Sequence, residues 1–398
     1  MALTTVSSDR LATNVKNTNF TSAEKQDLTD DIKPLLGSSG GGSKNKIING
    51  AMLVAQRGTS STTSGYGTVD RFKVQYSGTD EAPTQAQVDV VAGTTPYTLG
   101  FRKALKITNG NQTGGAGASD FVRLSTFLEG QDIANSGWNY KSASSFITLS
   151  FWVKSSVAQN FYGFIRNTDG TMYQYPFETG SLTADTWTKI TKTIPGNSNL
   201  TFDNDNGGAF ELYIHQFSGT GETASSVTLN AWATYSGSAK MPDFTSTWYT
   251  TNDATFELTG MQLEVGSVAT DFDHKTFGQE LQLCNRYYYD VLGPSPETDF
   301  AFAVGMKYNG TYNFAVINFP VQMRTVPTLE SSTTTNAFYK LIGSTVDDYA
   351  TNAMLKGGRT GARIYPNTGN DDHGSSGDTV LLHANNTSAC QLRFNAEL

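Results

Sequence analysis

FELTGMQLEVGSVATDFDHKTFGQELQLCNRYYY, Phe256 to Tyr289, is the stretch from which the fold can be read. In its first half Phe256, Leu258 and Gly260 alternate with Glu257, Thr259 and Met261, the period of two that a half-buried strand shows. Met261, Leu263 and Val265 then carry the apolar face onward. The phase therefore switches near Gly260, and a β-bulge is expected there. Asp273 offers an N-cap to a short helical run, HKTFGQELQLCNR, in which Phe277, Leu281 and Cys284 share one face. Tyr287, Tyr288 and Tyr289 restart a strand. One strand closes a large domain, one helix turns the corner, and an aromatic strand opens the next domain.

Toward the N-terminus, residues 46–275 read as one sandwich. Strand candidates recur with turn signals between them: Arg71–Tyr76, Val88–Val91, Lys103–Thr108, Phe121–Leu128, Ile147–Val153, Phe161–Arg166, Trp187–Ile194, Phe210–Phe217 and Phe256–Val265. ITLSFWVKSS is the clearest, with Ile147, Leu149, Phe151 and Val153 on one side and Thr148, Ser150, Trp152 and Lys154 on the other. Strands without long helices between them predict an antiparallel, two-sheet jelly roll. Residues 276–289 are the helix-strand connector, and 290–398 a smaller β domain carried by FAFAVGMKY, YNFAVINFPV and TVLLHA. The expected fold class is all-β.

Residues 1–45 differ. Leu28, Ile32 and Leu35 fall at i, i+4 and i+7, an apolar face on a short helix that Pro34 cuts off. GSSGGGS (Gly37 to Ser43) then forms a flexible tether. A short amphipathic helix is marginal alone in water. It is expected either to dock on another chain as a helical anchor or to remain a disordered tail.

Composition bounds the function. Charged residues make up 16% and aromatics 12%, with 39 glycines, a turn-rich β composition. The net charge of −8 gives no electrostatic pull toward nucleic acid. The two cysteines, Cys284 and Cys390, form neither a disulfide framework nor a metal-knuckle spacing. The N-terminal MALTTVSSDRL lacks a basic-then-apolar leader, and no 18-residue apolar run appears, so a soluble chain without membrane insertion is expected.

Catalytic and metal signals are thin. There is no HExxH, GxSxG or P-loop, and no cofactor is expected. DNDNGG, with Asp203 and Asp205, opens like a calcium loop but places Ile214 where the loop needs Glu, so a polar turn is expected. NDDH (Asn370 to His373) reads as a surface loop. Glu257 and Glu264 are too far apart along one strand to form a retaining glycosidase pair. No catalytic or metal-ligating residues are assigned.

Aromatics are the richer signal, because sugar rings stack on aromatic faces while amides and carboxylates bond the hydroxyls. Most aromatics of a sandwich belong to its core. Tyr173 and Tyr175 in the loop-like DGTMYQYPF, and Trp248 and Tyr249 in STWYTTND, are the candidates for exposed glycan-binding positions. Arg286 beside Tyr287, Tyr288 and Tyr289 suggests cation–tyrosine stacking at a domain or subunit junction, and Asp70–Arg71 reads as an ion pair that pins a loop.

Three motifs also carry a family resemblance. QLEVGSVATDF resembles the last strand of carbohydrate-binding-module-like jelly rolls. Continued through KTFGQELQLCNRYYY, it is similar to a segment of tail-fibre and tail-tip structural proteins of bacteriophages, marine and cyanobacterial phages in particular. IINGAMLVAQRGTSSTTSGYGTVDRF (Ile47 to Phe72) resembles the opening of the same module, and FPVQMRTVPT (Phe319 to Thr328) its continuation. The resemblance implies a virion protein, a homotrimer joined to other phage tail proteins by its N-terminal segment and binding host cell-surface glycan. Two alternatives stay open: a structural virion component without receptor binding, such as a nozzle, baseplate or capsid decoration protein, and a polysaccharide depolymerase.

Overall fold

In the computed structural model, the central strand of the first sheet is the one the sequence marks, Thr255–Val265. The model describes residues 44–293, 300–309, 312–333, 336–366, 374–385 and 390–398. Leu28, Ile32 and Leu35, and Asn370 to His373, lie outside the described residues. Asn45 to Leu398 form one unit, in which two hydrophobic cores are distinct.

The first core is enclosed by two six-stranded antiparallel sheets. In chain order the strands are β1 (Ser60–Ser61), β2 (Lys73–Ser77), β3 (Thr84–Asp89), β4 (Lys103–Thr108), β5 (Phe121–Glu129) and β6 (Phe146–Ser155). Then follow β7 (Asn160–Asn167), β8 (Tyr173–Ser181), β9 (Thr188–Pro195), β10 (Gly208–Ser218), β11 (Ala233–Thr234) and β12 (Thr255–Val265). The first sheet has the order β1-β3-β4-β12-β6-β9 and the second β11-β8-β7-β10-β5-β2. Phe256, Leu258, Met261 and Leu263 of β12 all enter the core between them. A strict alternation would turn Met261 outward. The register with β6 shifts between Thr259 and Gln262, and Gly260 adopts φ 63°, so the expected bulge restores the phase. The opening segment is laid along this bulged half: Asn45 Nδ2 donates to the Met261 carbonyl at 2.9 Å and its Oδ1 accepts from the Leu263 amide at 3.0 Å.

The helix Phe277–Cys284 is capped by Thr276, not Asp273, through a capping box with Gln279. Its buried face is also different from the expected one. Glu280 and Cys284 are buried while Phe277 is 58% exposed, because the Glu280 carboxylate turns inward to accept the Asn49 amide.

The second core lies under β13 (Tyr288–Asp290), β14 (Ala301–Lys307), β15 (Asn313–Asn318), β16 (Thr328–Ser331) and β17 (Phe338–Ile342), with β18 (Thr345–Tyr349), β19 (Asn352–Gly357), β20 (Gly361–Pro366), β21 (Thr379–Ala384) and β22 (Leu392–Asn395). They form a three-stranded sheet, β13-β22-β16, and a seven-stranded sheet, β18-β17-β21-β14-β15-β20-β19. The chain is all-β, built from antiparallel sheets.

The two cores meet at a buried charge network. The Arg71 guanidinium lies 3.4 Å from the Tyr287 ring centroid, is paired with Glu397, and donates to the Phe127 carbonyl at 2.6 Å. Arg57 lies 3.4 Å from the Tyr288 ring centroid and 3.3 Å from Glu397. The stacking cations are therefore Arg57 and Arg71, not Arg286. Arg286 instead grips Glu129 with two hydrogen bonds, at 2.7 and 2.6 Å, and the Tyr287 hydroxyl donates to the same carboxylate at 2.5 Å. Tyr289 packs on the second core. Nor do Asp70 and Arg71 pair with each other: Asp70 faces Arg57 at 3.7 Å and accepts from Gln56 at 3.0 and 2.6 Å. The positive φ of Arg71, 71°, sends consecutive side chains to different partners. Burial raises the Glu129 pKa, but the Arg286 and Tyr287 hydrogen bonds outweigh it and hold the group below the usual range.

Removing one partner of a buried, hydrogen-bonded ion pair costs about 3–5 kcal/mol, since the other charge stays behind. Arg71→Leu is expected to lose that much in urea unfolding; a loss below about 1 kcal/mol contradicts the network's role. Asp70 gives a pH test. Burial, opposed by Arg57 and Gln56, raises its pKa from 3.8 to about 6. A folded-state pKa above the unfolded one means that protonated Asp70 stabilises, a contribution complete below the unfolded pKa and lost as pH rises through about 6. The stability of wild type minus that of Asp70→Asn should therefore fall between pH 4 and 7, and a flat difference refutes the assignment.

Candidate functional site

The bulge of β12 also shapes a pocket on the outer face of the first sheet. A Cβ at Gly260 would lie 2.6 Å from the Phe101 ring, so the absent side chain is the seat of that ring. Beyond β12 the chain folds back over the same face. Glu264 holds it there, accepting from the Thr270 amide at 2.9 Å, the Thr270 hydroxyl at 2.6 Å and the Gln262 amide side chain at 2.8 Å. Gln262 Oε1 in turn accepts the Asp273 amide at 2.8 Å. These bonds carry Asp271, Phe272 and His274 to the pocket rim.

Phe272 meets Phe101 edge-on with ring centroids 4.9 Å apart, and His274 lies 5.1 Å from Phe101. His274 Nε2 is 2.9 Å from the Leu99 carbonyl, which can only accept, so that nitrogen carries the proton. The opposite wall is Trp152 of β6, directly across from Lys189 of β9 in the strand register. Ser150 and Thr270 complete the polar edge. The cavity is about 250 Å³. That is below the ~300–1,000 Å³ of pockets for drug-sized ligands and suits one ring better than a chain. The arrangement offers an aromatic wall to an apolar ring face, with an ammonium, a carboxylate and hydroxyls at its edge.

The four expected glycan-binding aromatics are placed elsewhere. Tyr173 and Tyr175 belong to strand β8, not a loop, and both side chains turn to the core, Tyr175 with 3% exposure. Trp248 and Tyr249 form a single helical turn, Thr247–Thr250, and both are buried. Trp248 Nε1 donates to the Thr255 carbonyl at 3.1 Å, and Tyr249 stacks on Phe217 at 4.4 Å with its hydroxyl 3.3 Å from Asp120. Exposure is thus corrected for Tyr175, Trp248 and Tyr249, and Tyr173 is half-buried. The residue missed was Trp152. Its signal was present, a tryptophan on the polar side of the ITLSFWVKSS alternation.

Asp203 and Asp205 sit in a polar turn: the Asp205 carboxylate accepts the Gly207 amide at 2.8 Å, and the Asp203 amide donates to Asp169 at 2.8 Å. Among the described residues, no group of three or more His, Cys, Asp or Glu is placed to hold a metal ion.

The chain matches no family model and no curated protein. Among solved structures it is similar to the enzymatically active domain of tailspike protein 4 of bacteriophage CBA120, at 10% identity and TM-score 0.29, over 56% of this chain and 22% of that one. It thus spans about a fifth of the tailspike chain's length. It is also similar to a putative sugar binding protein from Bacteroides thetaiotaomicron, at 13% identity and TM-score 0.27, over 56% of this chain and 100% of that one. A family 11 carbohydrate-binding module from Clostridium thermocellum, in complex with a mixed-linked tetrasaccharide, aligns at 11% identity and TM-score 0.24, over 54% and 98% of the two chains. Alignments this distant carry no information about the ligand, which the residues of this chain must supply.

Gly260→Ala places a side chain at φ 63° and against the Phe101 ring. It should cost about 1–3 kcal/mol, read by urea unfolding. Gly343→Ala, at a nearly equal φ of 60° but with open space around the added atom, should cost less. Equal losses would show that Phe101 does not constrain the bulge.

Proposed function

We propose that this chain is a bacteriophage virion protein, a tail fibre or receptor-binding protein, that binds host cell-surface glycan through the Trp152 pocket. The observation that carries the reading is the pairing of a partly exposed tryptophan wall with Lys189 across the strand and Asp271 at the rim. One sugar ring stacks on Trp152, while Lys189 and Asp271 bond its hydroxyls. Such a contact is weak singly. Copies of the chain, arranged as a homotrimer and fixed to other tail proteins by residues 1–45, make it strong through avidity.

Two features support this placement. The motifs resembling phage tail proteins supply the buried network itself: Arg57 and Arg71 from the opening motif, Arg286 and the tyrosines from the connector, and Arg324 from FPVQMRTVPT. Contact between copies is served by the outer face of the seven-stranded sheet, where Val304, Met306 and Val316 are 62%, 52% and 59% exposed. Binding without hydrolysis is favoured over a depolymerase, because Asp271 is the one carboxylate among the residues lining the pocket and glycoside hydrolysis uses two.

Trp152→Ala should weaken binding of the full chain to susceptible cells by roughly tenfold, the worth of an aromatic stacking contact of about 1–1.5 kcal/mol. Wild-type affinity in the variant removes the pocket from the account. Wild-type protein that binds no susceptible cell removes the adhesin and leaves the structural virion component.

A further inference from the structure

A second groove lies on the outer face of the second sheet, away from Trp152. It encloses about 340 Å³ and is lined by Lys73 and Gln75 of β2, Arg123 and Phe127 of β5, and Glu211 and Tyr213 of β10. These strands are neighbours, β2 on β5 and β5 on β10, so the six side chains project from three adjacent backbones. In the register Gln75 faces Arg123 and Lys73 faces Ser125, which faces Tyr213. Lys73 and Arg123 are therefore diagonal neighbours, roughly 7–8 Å apart at the backbone. That places both cations on one face of the groove, with Arg123 Nε donating to the Gln75 side-chain oxygen at 3.3 Å.

The charges in the groove are not balanced. Among the lining side chains the one carboxylate is Glu211, already held by Arg166 and by the Tyr213 hydroxyl at 2.8 Å, and Leu398 also lines the groove, its main-chain oxygen accepting from the Tyr66 hydroxyl at 3.0 Å. Arg166 is itself placed over the Tyr235 ring, 4.6 Å from the centroid, so this pair is fixed. Arg123 stands over Phe121 at 4.4 Å with a long 3.9 Å approach to Glu222, whose other oxygen is 2.6 Å from Lys240. Lys73 has no carboxylate within 4.0 Å among the described residues, and its ammonium is positioned between Tyr66 and Phe127, 5.5 and 5.6 Å from their ring centroids. Lys73 is thus the unpaired cation of the groove and Arg123 a loosely paired one, beside a Glu211 carboxylate that is already bonded.

We infer that this groove is a second binding site, for an acidic polysaccharide whose carboxylate or sulfate lies between Lys73 and Arg123. Gln75 serves a neighbouring hydroxyl and Phe127 lines the wall. The site is independent of the Trp152 pocket, which selects a ring face without needing charge.

Titration calorimetry on the full chain separates the two. The probes are oligogalacturonate, a heparin-derived oligosaccharide, and a neutral oligosaccharide that binds the wild-type protein. At low salt an acidic probe should bind, and tenfold more salt should weaken it several-fold. Lys73→Gln and Arg123→Gln should each weaken it at least tenfold while leaving the neutral probe's affinity unchanged, which also shows that the variants are folded. Preference between the two acidic probes assigns the group as carboxylate or sulfate. Failure of both acidic probes to bind, or equal affinity in wild type and variants, overturns the groove and leaves the Trp152 reading standing. Loss of neutral binding in Trp152→Ala, or its absence there, bears on that pocket alone.

Discussion

A single guanidinium, that of Arg71, is the interaction on which the rest of this structure depends. It is 2% exposed, sits at a positive φ, and touches three separate parts of the chain: the Tyr287 ring, the Phe127 carbonyl and the Glu397 carboxylate. Left-handed backbone at a non-glycine residue costs about 1–3 kcal/mol, and a buried cation costs several more unless it is paired. Both costs are offset because the partners come from a strand of the first core, the turn that leads into the second, and the C-terminal segment that returns between them. Arg324 reinforces that return by donating to the Ala396 and Glu397 carbonyls at 2.7 and 2.8 Å. The two β assemblies are thus joined through paired buried charge, although Arg71 Nε and one Arg57 terminal nitrogen make no hydrogen bond.

The same stretch that leads into this network also shapes the candidate site. The extra residue at Gly260 keeps β12 facing the core, and its missing side chain receives Phe101. The loop that follows is bound back by Glu264 and delivers Asp271, Phe272 and His274 to the pocket. One local backbone irregularity therefore serves the packing of the core and shapes the candidate pocket. That is the position in which bulges recur, where a strand must keep its register while a neighbouring loop is re-aimed.

Much of the fold was legible because the sandwich strands obey the period of two. Lys103–Thr108 was read to the residue, and the phase switch of β12 gave its bulge. Strand β8 was not read, since Pro176 argues against a strand with neighbours on both sides; its outer neighbour, β11, is only two residues long, which leaves β8 nearly an edge, where proline is tolerated. Trp248 and Tyr249 were misplaced because their polar flanks look like a surface turn. What buries them is distant, Gln159 accepting from the Trp248 amide at 2.9 Å and Gly78 from the Tyr249 hydroxyl at 3.3 Å. The aromatic run at Tyr287 announced stacking with a cation, yet the cations come from Arg57 and Arg71, more than two hundred residues upstream. Periodicity is a local property and was visible; partners brought by topology were not.

The proposed recognition of a neutral glycan rests on one tryptophan wall, separate from the Lys73 and Arg123 groove. The direct measurement is a heteronuclear NMR titration of the full chain with neutral oligosaccharide released from a susceptible host's surface, following the indole N–H signals of its five tryptophans. Trp138 and Trp248 are buried, so they report the core, whereas Trp152 lines the pocket. A saturable shift of the Trp152 signal, with Trp138 and Trp248 unmoved, is the result the account predicts. Saturable binding that leaves Trp152 unmoved would contradict it.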